Sequence, residues 1–225
     1  MKLTPAIKRE VTSDWESIFP LFGVYKPLWL MRRYGPISIG ILLERDSGND
    51  RYLPISHLHT LTSDLPAISL TLPTRLLNNR NHAIRKIHVK NHDHDWREAA
   101  DSLKAQSFVP LNDTAISLDR VLELYTRFIR SRTPLAEYPK ELFEDIFALL
   151  VWCGRSDDAN ATLRRFRKMV DSWPAKIVNK FGGGAAWEQS VLERYSSRPQ
   201  LLRRVEEKTA DLESSNVPEG GFRVQ

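Results

Sequence analysis

The sequence predicts an α+β fold, in which an antiparallel sheet of about four strands precedes a C-terminal bundle of about five to six helices. Two observations lead to this prediction. Between residues 36 and 91, apolar residues alternate with polar ones at a period of two, which is typical of strands. After His94, the spacing changes to the three-and-four pattern of amphipathic helices and keeps it.

A short helix is predicted before the sheet. Ser13 and Glu16 have the spacing of a capping box, and Pro20 is placed to end the helix. Trp15 and Phe19, four residues apart, fall on the same side of such a helix. We therefore expect both rings to pack in the core.

The predicted strands follow in order along residues 37–43, 52–61, 67–72 and 84–90. The first two form a hairpin, because the residues between them tolerate the left-handed conformation of tight turns. Pro54 lacks a backbone N–H, so the second strand is expected at a sheet edge or to begin at this residue.

Helical spacing dominates the rest of the chain. A first helix is expected over residues 96–107, and Ser117 is expected to cap a second. The helix after Pro139 is apolar nearly all the way round and should be central, ending at Gly154. The chain is thus divided into a strand-rich part (1–95), a helical part (96–213) and a flexible tail (214–225), with the first two parts forming one compact unit.

Composition limits the class of protein. Hydrophobic residues make up 41% of the chain, but the apolar runs are too short to span a bilayer, and the N-terminus lacks the apolar core of a secretory signal. Cys153 has no second cysteine to pair with and is expected to be a buried, inert thiol. We therefore expect a cytoplasmic protein, of bacterial type, that does not contact a membrane.

All six histidines lie between residues 57 and 94, which is the most metal-like feature of the sequence. His57 and His59 would share one face of a strand, and His92 and His94 lie in an expected loop rich in carboxylates. The stretch from His92 partly resembles the HxHxDH motif of the metallo-β-lactamase fold, but Trp96 and Arg97 stand where that motif requires Asp and His. Because no third ligand is recognisable, no metal or other cofactor is predicted, and a metal-dependent enzyme using these four histidines remains an alternative.

Aromatic and basic residues are interleaved between Trp15 and Tyr34. Rigid rings beside cations are typical of surfaces that bind a protein partner. We expect partial exposure of Tyr25 and Trp29, and we expect Arg32 and Arg33 to be exposed. The predicted partner-binding residues are Tyr25, Lys26, Trp29, Arg32 and Arg33.

The net charge of +5 is too small and too spread out to favour nucleic-acid binding. A protein that binds nucleic acid weakly is kept only as a further alternative. The basic run at residues 164–168 is expected to be a solvated helix face. No nucleotide-binding loop, nucleophile elbow or zinc-peptidase motif is present in the sequence. The sequence therefore favours a non-enzymatic protein that acts by binding another protein, such as a toxin-immunity protein or an adaptor.

Overall fold

The computed structural model describes residues 1–131, 137–213 and 217–224, which form two compact units. The sheet unit comprises Met1–His59, Ile68–Ile116 and Ala210–Arg223, and the helical unit is built mainly from Thr60–Ala67 and Ser117–Thr209. The boundary expected between residues 95 and 96 falls inside a helix of the sheet unit. In the part of the chain that the structure describes, every helix is too short or too polar to cross a membrane.

The sheet unit confirms the predicted N-terminal antiparallel sheet. Its six-stranded sheet has the order β1-β2-β3-β4-β5, and β6 also pairs with β4. The elements are α1 (Pro5–Ile18), β1 (Gly23–Lys26), β2 (Trp29–Tyr34), β3 (Ile37–Arg45), β4 (Arg51–Thr60), β5 (Thr71–Arg75), β6 (Ile87–His88) and α2 (His92–Gln106).

Helices α1 and α2 pack against one face of this sheet. Trp15 of α1 and Phe19 just after it are fully buried, as predicted, and their rings stack with centroids 6.1 Å apart. The indole Nε1 of Trp15 donates a hydrogen bond to Tyr52 Oη of β4 (3.2 Å). The alternating residues Ile37, Ile39 and Ile41 of β3 are likewise buried. These contacts form the core of the sheet unit.

Three local predictions in this unit are wrong. Helix α1 is capped by Thr4, which accepts a hydrogen bond from Ile7, so Ser13 lies in mid-helix. Helix α2 begins at His92, so His92 and His94 are helical. Strand β4 is internal although it contains Pro54, because β6 pairs with residues up to Tyr52 and the β5 pairing begins at Ile55. The missing N–H of the proline falls between these two pairings, at a position that β5 and β6 leave unpaired.

Strands β1 and β2 were not predicted as strands. The other two strand predictions are displaced, because β5 begins at Thr71 and β6 contains only Ile87 and His88. Residues 67–70 lie outside the strands, Ile84 forms an isolated bridge with Leu77, and Val89–Asn91 form a short 3-10 helix.

The helical unit confirms the predicted C-terminal helices. Ser117 caps α3 by accepting a hydrogen bond from Arg120 N (3.2 Å), and α4 is buried on nearly every side and ends just before Gly154. Cys153 is half-buried and not fully buried as expected, and its partial burial raises the pKa of the thiol to about 11, which agrees with an inert thiol. The helices are α3 (Leu118–Arg130), α4 (Lys140–Trp152), α5 (Ser156–Asp171), α6 (Ala175–Val178), α7 (Gly184–Tyr195) and α8 (Arg198–Glu213).

The predicted tail at residues 214–225 contains structure where it is described. Gly221–Arg223 form strand β8, which pairs with β7 (Ala115–Ser117). Val217 is buried. Residues 214–216 and 225 lie outside the described part of the chain.

Candidate functional site

The turn between β1 and β2 presents three of the five predicted partner-binding residues. Lys26 pairs with Trp29 across a two-residue turn of Pro27 and Leu28. Leu28 has φ 71°, a left-handed conformation that costs a leucine on the order of 1–3 kcal/mol unless the surroundings enforce it. Its N–H donates to Thr12 Oγ1 (2.8 Å), and its carbonyl accepts from Leu43 N (2.8 Å). These contacts fix the turn to α1 and β3.

Tyr25 and Trp29 form a half-buried aromatic pair beside this turn. Their ring centroids are 5.5 Å apart and the planes are nearly perpendicular, at 87°. Lys26 is exposed, and its Nζ lies 4.7 Å from the centre of the Tyr25 ring. Rings in this geometry expose apolar area without a large loss of side-chain freedom on binding. We call Tyr25, Lys26 and Trp29 the hairpin surface.

His57 supports the hairpin surface from within the sheet. It is fully buried, and its Nε2 accepts a hydrogen bond from Trp29 Nε1 (3.0 Å), which places the proton of the neutral ring on Nδ1. Burial lowers the pKa of His57 to about 4, so the imidazole is neutral at pH 7. Residue 40 must be glycine, because a Cβ there would collide with this imidazole.

An open groove with a volume of about 520 Å³ lies beside the hairpin surface. Leu42, which pairs with Trp29 across β2 and β3, lines the groove together with Pro27. Glu44 and Arg45 add opposite charges to its rim. The hairpin surface and this groove therefore form a mixed apolar and polar site at one end of the sheet.

The remaining two predicted residues lie apart from this site, toward the other end of β2. Arg32 is only 7% exposed and pairs with Ile39, on the face that α1 and α2 cover. The Arg33 side chain is 12% exposed and forms a 2.6 Å ion pair with Glu219. The expectation that both arginines are exposed is wrong, because an element from the far end of the chain lies against this part of β2.

The histidines of the metal alternative are engaged separately. His59 Nδ1 is hydrogen-bonded to Ser69 Oγ (2.9 Å). His92 is hydrogen-bonded to Tyr52 Oη and Asp14 Oδ2, each at 2.8 Å. His94 is exposed and contacts Asp95. Among the described residues, no group of three or more His, Cys, Asp or Glu side chains is placed to hold a metal ion.

The basic run on α5 is a solvent-exposed face, as predicted. Arg164, Arg165 and Lys168 are exposed. Arg167 is instead tied to Glu188 of α7 (2.6 Å) and to Asp171. The run therefore contributes partly to the packing of the helical unit.

Sequence reasoning missed two carboxylates in α4, of which Glu144 is buried and Asp145 is half-buried. Glu144 accepts from Lys140 Nζ and Trp187 Nε1, both at 3.0 Å, and from Arg194 Nη2 at 2.9 Å. Asp145 accepts from Thr60 Oγ1 (2.8 Å) and Tyr125 Oη (3.0 Å). Two adjacent carboxylates in an otherwise apolar helix were the available signal, because buried charges require dedicated partners.

Desolvation raises the pKa of Asp145 to about 7, against the opposing effect of its two hydroxyl donors. The neighbouring carboxylates of Glu144 and Glu141 add to the increase. The Asp145 carboxyl therefore gains or loses its proton near neutral pH. In the described part of the chain, no group of three or more His, Cys, Asp or Glu side chains is placed to hold a metal here, and the contacts of the two carboxylates tie segments of the helical unit together.

Comparison with known proteins identifies no relative. No family model matches the chain, and no curated protein or solved structure matches it either.

Proposed function

We propose that this protein acts without catalysis, by binding another protein through the hairpin surface. The observation that supports this proposal is the half-exposed Tyr25–Trp29 pair on a turn that is fixed from below. Binding energy concentrates in aromatic side chains that are already ordered before the partner arrives. A toxin-immunity protein or an adaptor is the kind of protein that works in this way.

The charge beside the rings favours an acidic or neutral partner surface. Lys26 is exposed next to Tyr25, while Glu44, Arg45 and Asp46 line the groove and Asp46 is paired with Lys86 (2.8 Å). A carboxylate on the partner can reach Lys26 while an apolar side chain covers the two rings. The proposed interface therefore combines an aromatic centre with a polar rim.

This proposal ranks above the metal-enzyme alternative because the four candidate histidines have separate hydrogen-bond partners. His57 in particular uses its Nε2 lone pair to accept the Trp29 indole proton. It therefore supports the binding surface in its neutral form, with its accessible lone pair already used.

The test compares two matched aromatic pairs. Tyr138 and Trp173 of the helical unit also form a half-buried, edge-to-face pair, with centroids 5.4 Å apart and an interplanar angle of 72°. Partners captured from the native cells by the wild-type chain are identified by mass spectrometry, purified and titrated calorimetrically against Tyr25→Ala and Tyr138→Ala. We expect Tyr25→Ala to weaken binding by tenfold or more, since truncation of a central aromatic costs on the order of 2 kcal/mol or more.

The control variant Tyr138→Ala should bind as tightly as the wild type. The proposal is wrong if Tyr25→Ala keeps full affinity for every purified partner, or if Tyr138→Ala is the variant that loses it. Circular dichroism of both variants checks that each remains folded.

A further inference from the structure

Part of the β2 edge is left unpaired by β1, and the C-terminal segment of the chain (residues 217–223) lies against it. Strand β1 pairs with β2 only as far as Met31. Beyond it, Arg33 N donates to Pro218 O (3.0 Å), and Gly220 N donates to Arg33 O (2.7 Å). Glu219 thus forms a parallel bridge with Arg33. The segment adds to the sheet as a short parallel edge strand.

A carboxylate accompanies this backbone pairing. Glu219 Oε2 lies 2.6 Å from Arg33 Nη2, and the Glu219 side chain is 60% exposed while that of Arg33 is 12% exposed. Such a half-exposed ion pair contributes little to stability by itself. The edge therefore recognises an extended segment by its backbone and a carboxylate by Arg33.

The next position admits only glycine. A Cβ at residue 220 would collide with the Tyr34 ring and would lie 2.9 Å from Arg32 Nε. The backbone of the bound segment therefore passes directly over Tyr34 and Arg32. An acidic residue followed by glycine is the sequence that fits this edge.

The occupied edge leaves Arg32 poorly paired. Within the described residues, Arg32 Nε and Nη1 are buried without a hydrogen-bond partner, and Nη2 makes one long contact to Thr114 O (3.4 Å). The Tyr34 ring, 5.2 Å away, supplies a cation–π contact. A buried guanidinium that lacks partners disfavours the closed arrangement, since water would satisfy these donors after the segment leaves.

Gly221 N donates to Thr114 O (2.9 Å), and Gly221–Arg223 pair with β7, whereas residues 217–220, which lie on the β2 edge, are held by few contacts. Pro218 provides no N–H, and Gly220 and Gly221 bury no side chain and lose much backbone freedom when ordered. The segment's apolar contacts come from Val217, which is buried, and from Phe222, which packs against Gly35. Exchange with another segment of the same chemistry is therefore energetically accessible.

We propose that the β2 edge at Arg32–Tyr34 binds an extended segment of a partner protein, with an acidic residue on Arg33 followed by a glycine over Tyr34, in exchange for residues 217–220 of the chain itself. The added strand runs parallel to β2, which makes this a case of strand addition to an exposed edge. The proposal goes beyond the proposed function, because it assigns a second surface and its test does not involve Tyr25 or Trp29.

The test uses a labelled peptide with the sequence of residues 217–224, titrated into the full-length chain by fluorescence polarisation. Gly220→Ala in the chain should displace the chain's own segment and free the edge. We expect this variant to bind the peptide at least tenfold more tightly than the wild type. A peptide with alanine at the position of Gly220 should not bind, because its Cβ meets Tyr34.

Gly48→Ala is the matched control, because Gly48 lies in the β3–β4 turn where a Cβ would meet only the Asp50 side chain. It should bind the peptide as weakly as the wild type does. The proposal is overturned if Gly220→Ala binds no more tightly than this control, or if the alanine peptide binds as well as the glycine peptide.

Amide hydrogen exchange on the wild-type chain tests whether the C-terminal segment leaves the β2 edge, without any substitution. The Gly220 amide, which donates to Arg33 O, should exchange through local opening at least tenfold faster than the amides of β3. Exchange of Gly220 only at the rate of global unfolding would overturn the proposal, even if Gly220→Ala fails to fold.

Discussion

The two units of the molecule treat buried charge in opposite ways. In the helical unit, the buried carboxylate of Glu144 has three donors within 3.0 Å. In the described part of the sheet unit, the buried guanidinium of Arg32 has one hydrogen bond, a long one to the Thr114 carbonyl oxygen. Removing a partner from a buried charge that is fully paired destabilises the fold strongly, whereas replacing a poorly paired buried charge by an apolar side chain is often neutral or stabilising. The paired carboxylate therefore ties parts of the helical unit together, whereas the poorly paired guanidinium is a cost to the stability of the sheet unit.

The largest expected effect is that of Glu144→Ala. The substitution leaves Arg194, Lys140 and Trp187 without their common acceptor, so we expect the free energy of unfolding to fall by about 3–5 kcal/mol. Urea denaturation measures this loss. Glu141→Ala is the control on the same helix, since the Glu141 side chain is 72% exposed and its removal should cost less than about 1 kcal/mol. Equal losses for both variants would contradict the assigned role of Glu144.

A pH dependence of intermediate size is expected from Asp145. Its pKa in the folded protein is raised from the ordinary value of 3.8 to about 7. As the pH rises from 4 to 7, the unfolded chain ionises this carboxyl before the folded one does, so the group progressively destabilises the fold, and the effect is complete above pH 7. Asp145→Asn removes this dependence.

Melting temperatures of Asp145→Asn and the wild type, measured from pH 4 to pH 8, check this expectation. The difference between variant and wild type should move in favour of the variant up to about pH 7 and then stay level. Asp101→Asn is the control, because the Asp101 side chain is 73% exposed. A difference that is constant across this range would contradict the raised pKa.

The smallest expected effect is that of Arg32→Met. The sign of its change in unfolding free energy tests directly whether Arg32 and Glu144 differ in their pairing. An apolar side chain of similar length replaces a buried charge that lacks partners, so we expect unfolding free energy to stay within about 1 kcal/mol of the wild type or to increase. Thermal and urea unfolding measure the change. A loss as large as that of Glu144→Ala would show that Arg32 is paired as completely as the carboxylate.

The fold class and the helices were predictable because their signals are local. Ser117 and Pro139 mark helix starts, and the apolar periodicity of α4 identifies it as central. Boundaries in the sheet unit were less predictable. The proline in β4 is tolerated only because β5 and β6 pair with different parts of the strand, which no local pattern reveals.

The candidate site was predictable in part. Tyr25, Lys26 and Trp29 lie together as expected, because a two-residue turn brings the residues on either side of it into contact across the hairpin. Arg32 and Arg33 were assigned to the same surface by sequence proximity alone. Alternation along β2 puts Arg32 on the covered face, and the C-terminal segment reaches Arg33 from almost two hundred residues away along the chain.

The sequence by itself determined the α+β class, the helical C-terminal part, the buried Trp15 and the aromatic character of the β1–β2 turn. These depend on side-chain periodicity and turn chemistry, which act between neighbours. Only the tertiary structure decided that His57 is a neutral acceptor beneath Trp29, that Asp145 holds a proton near neutral pH, and that Glu219 meets Arg33. Each of these depends on burial and on pairs of residues distant in sequence, because desolvation and charge pairing are set by what surrounds a group in space.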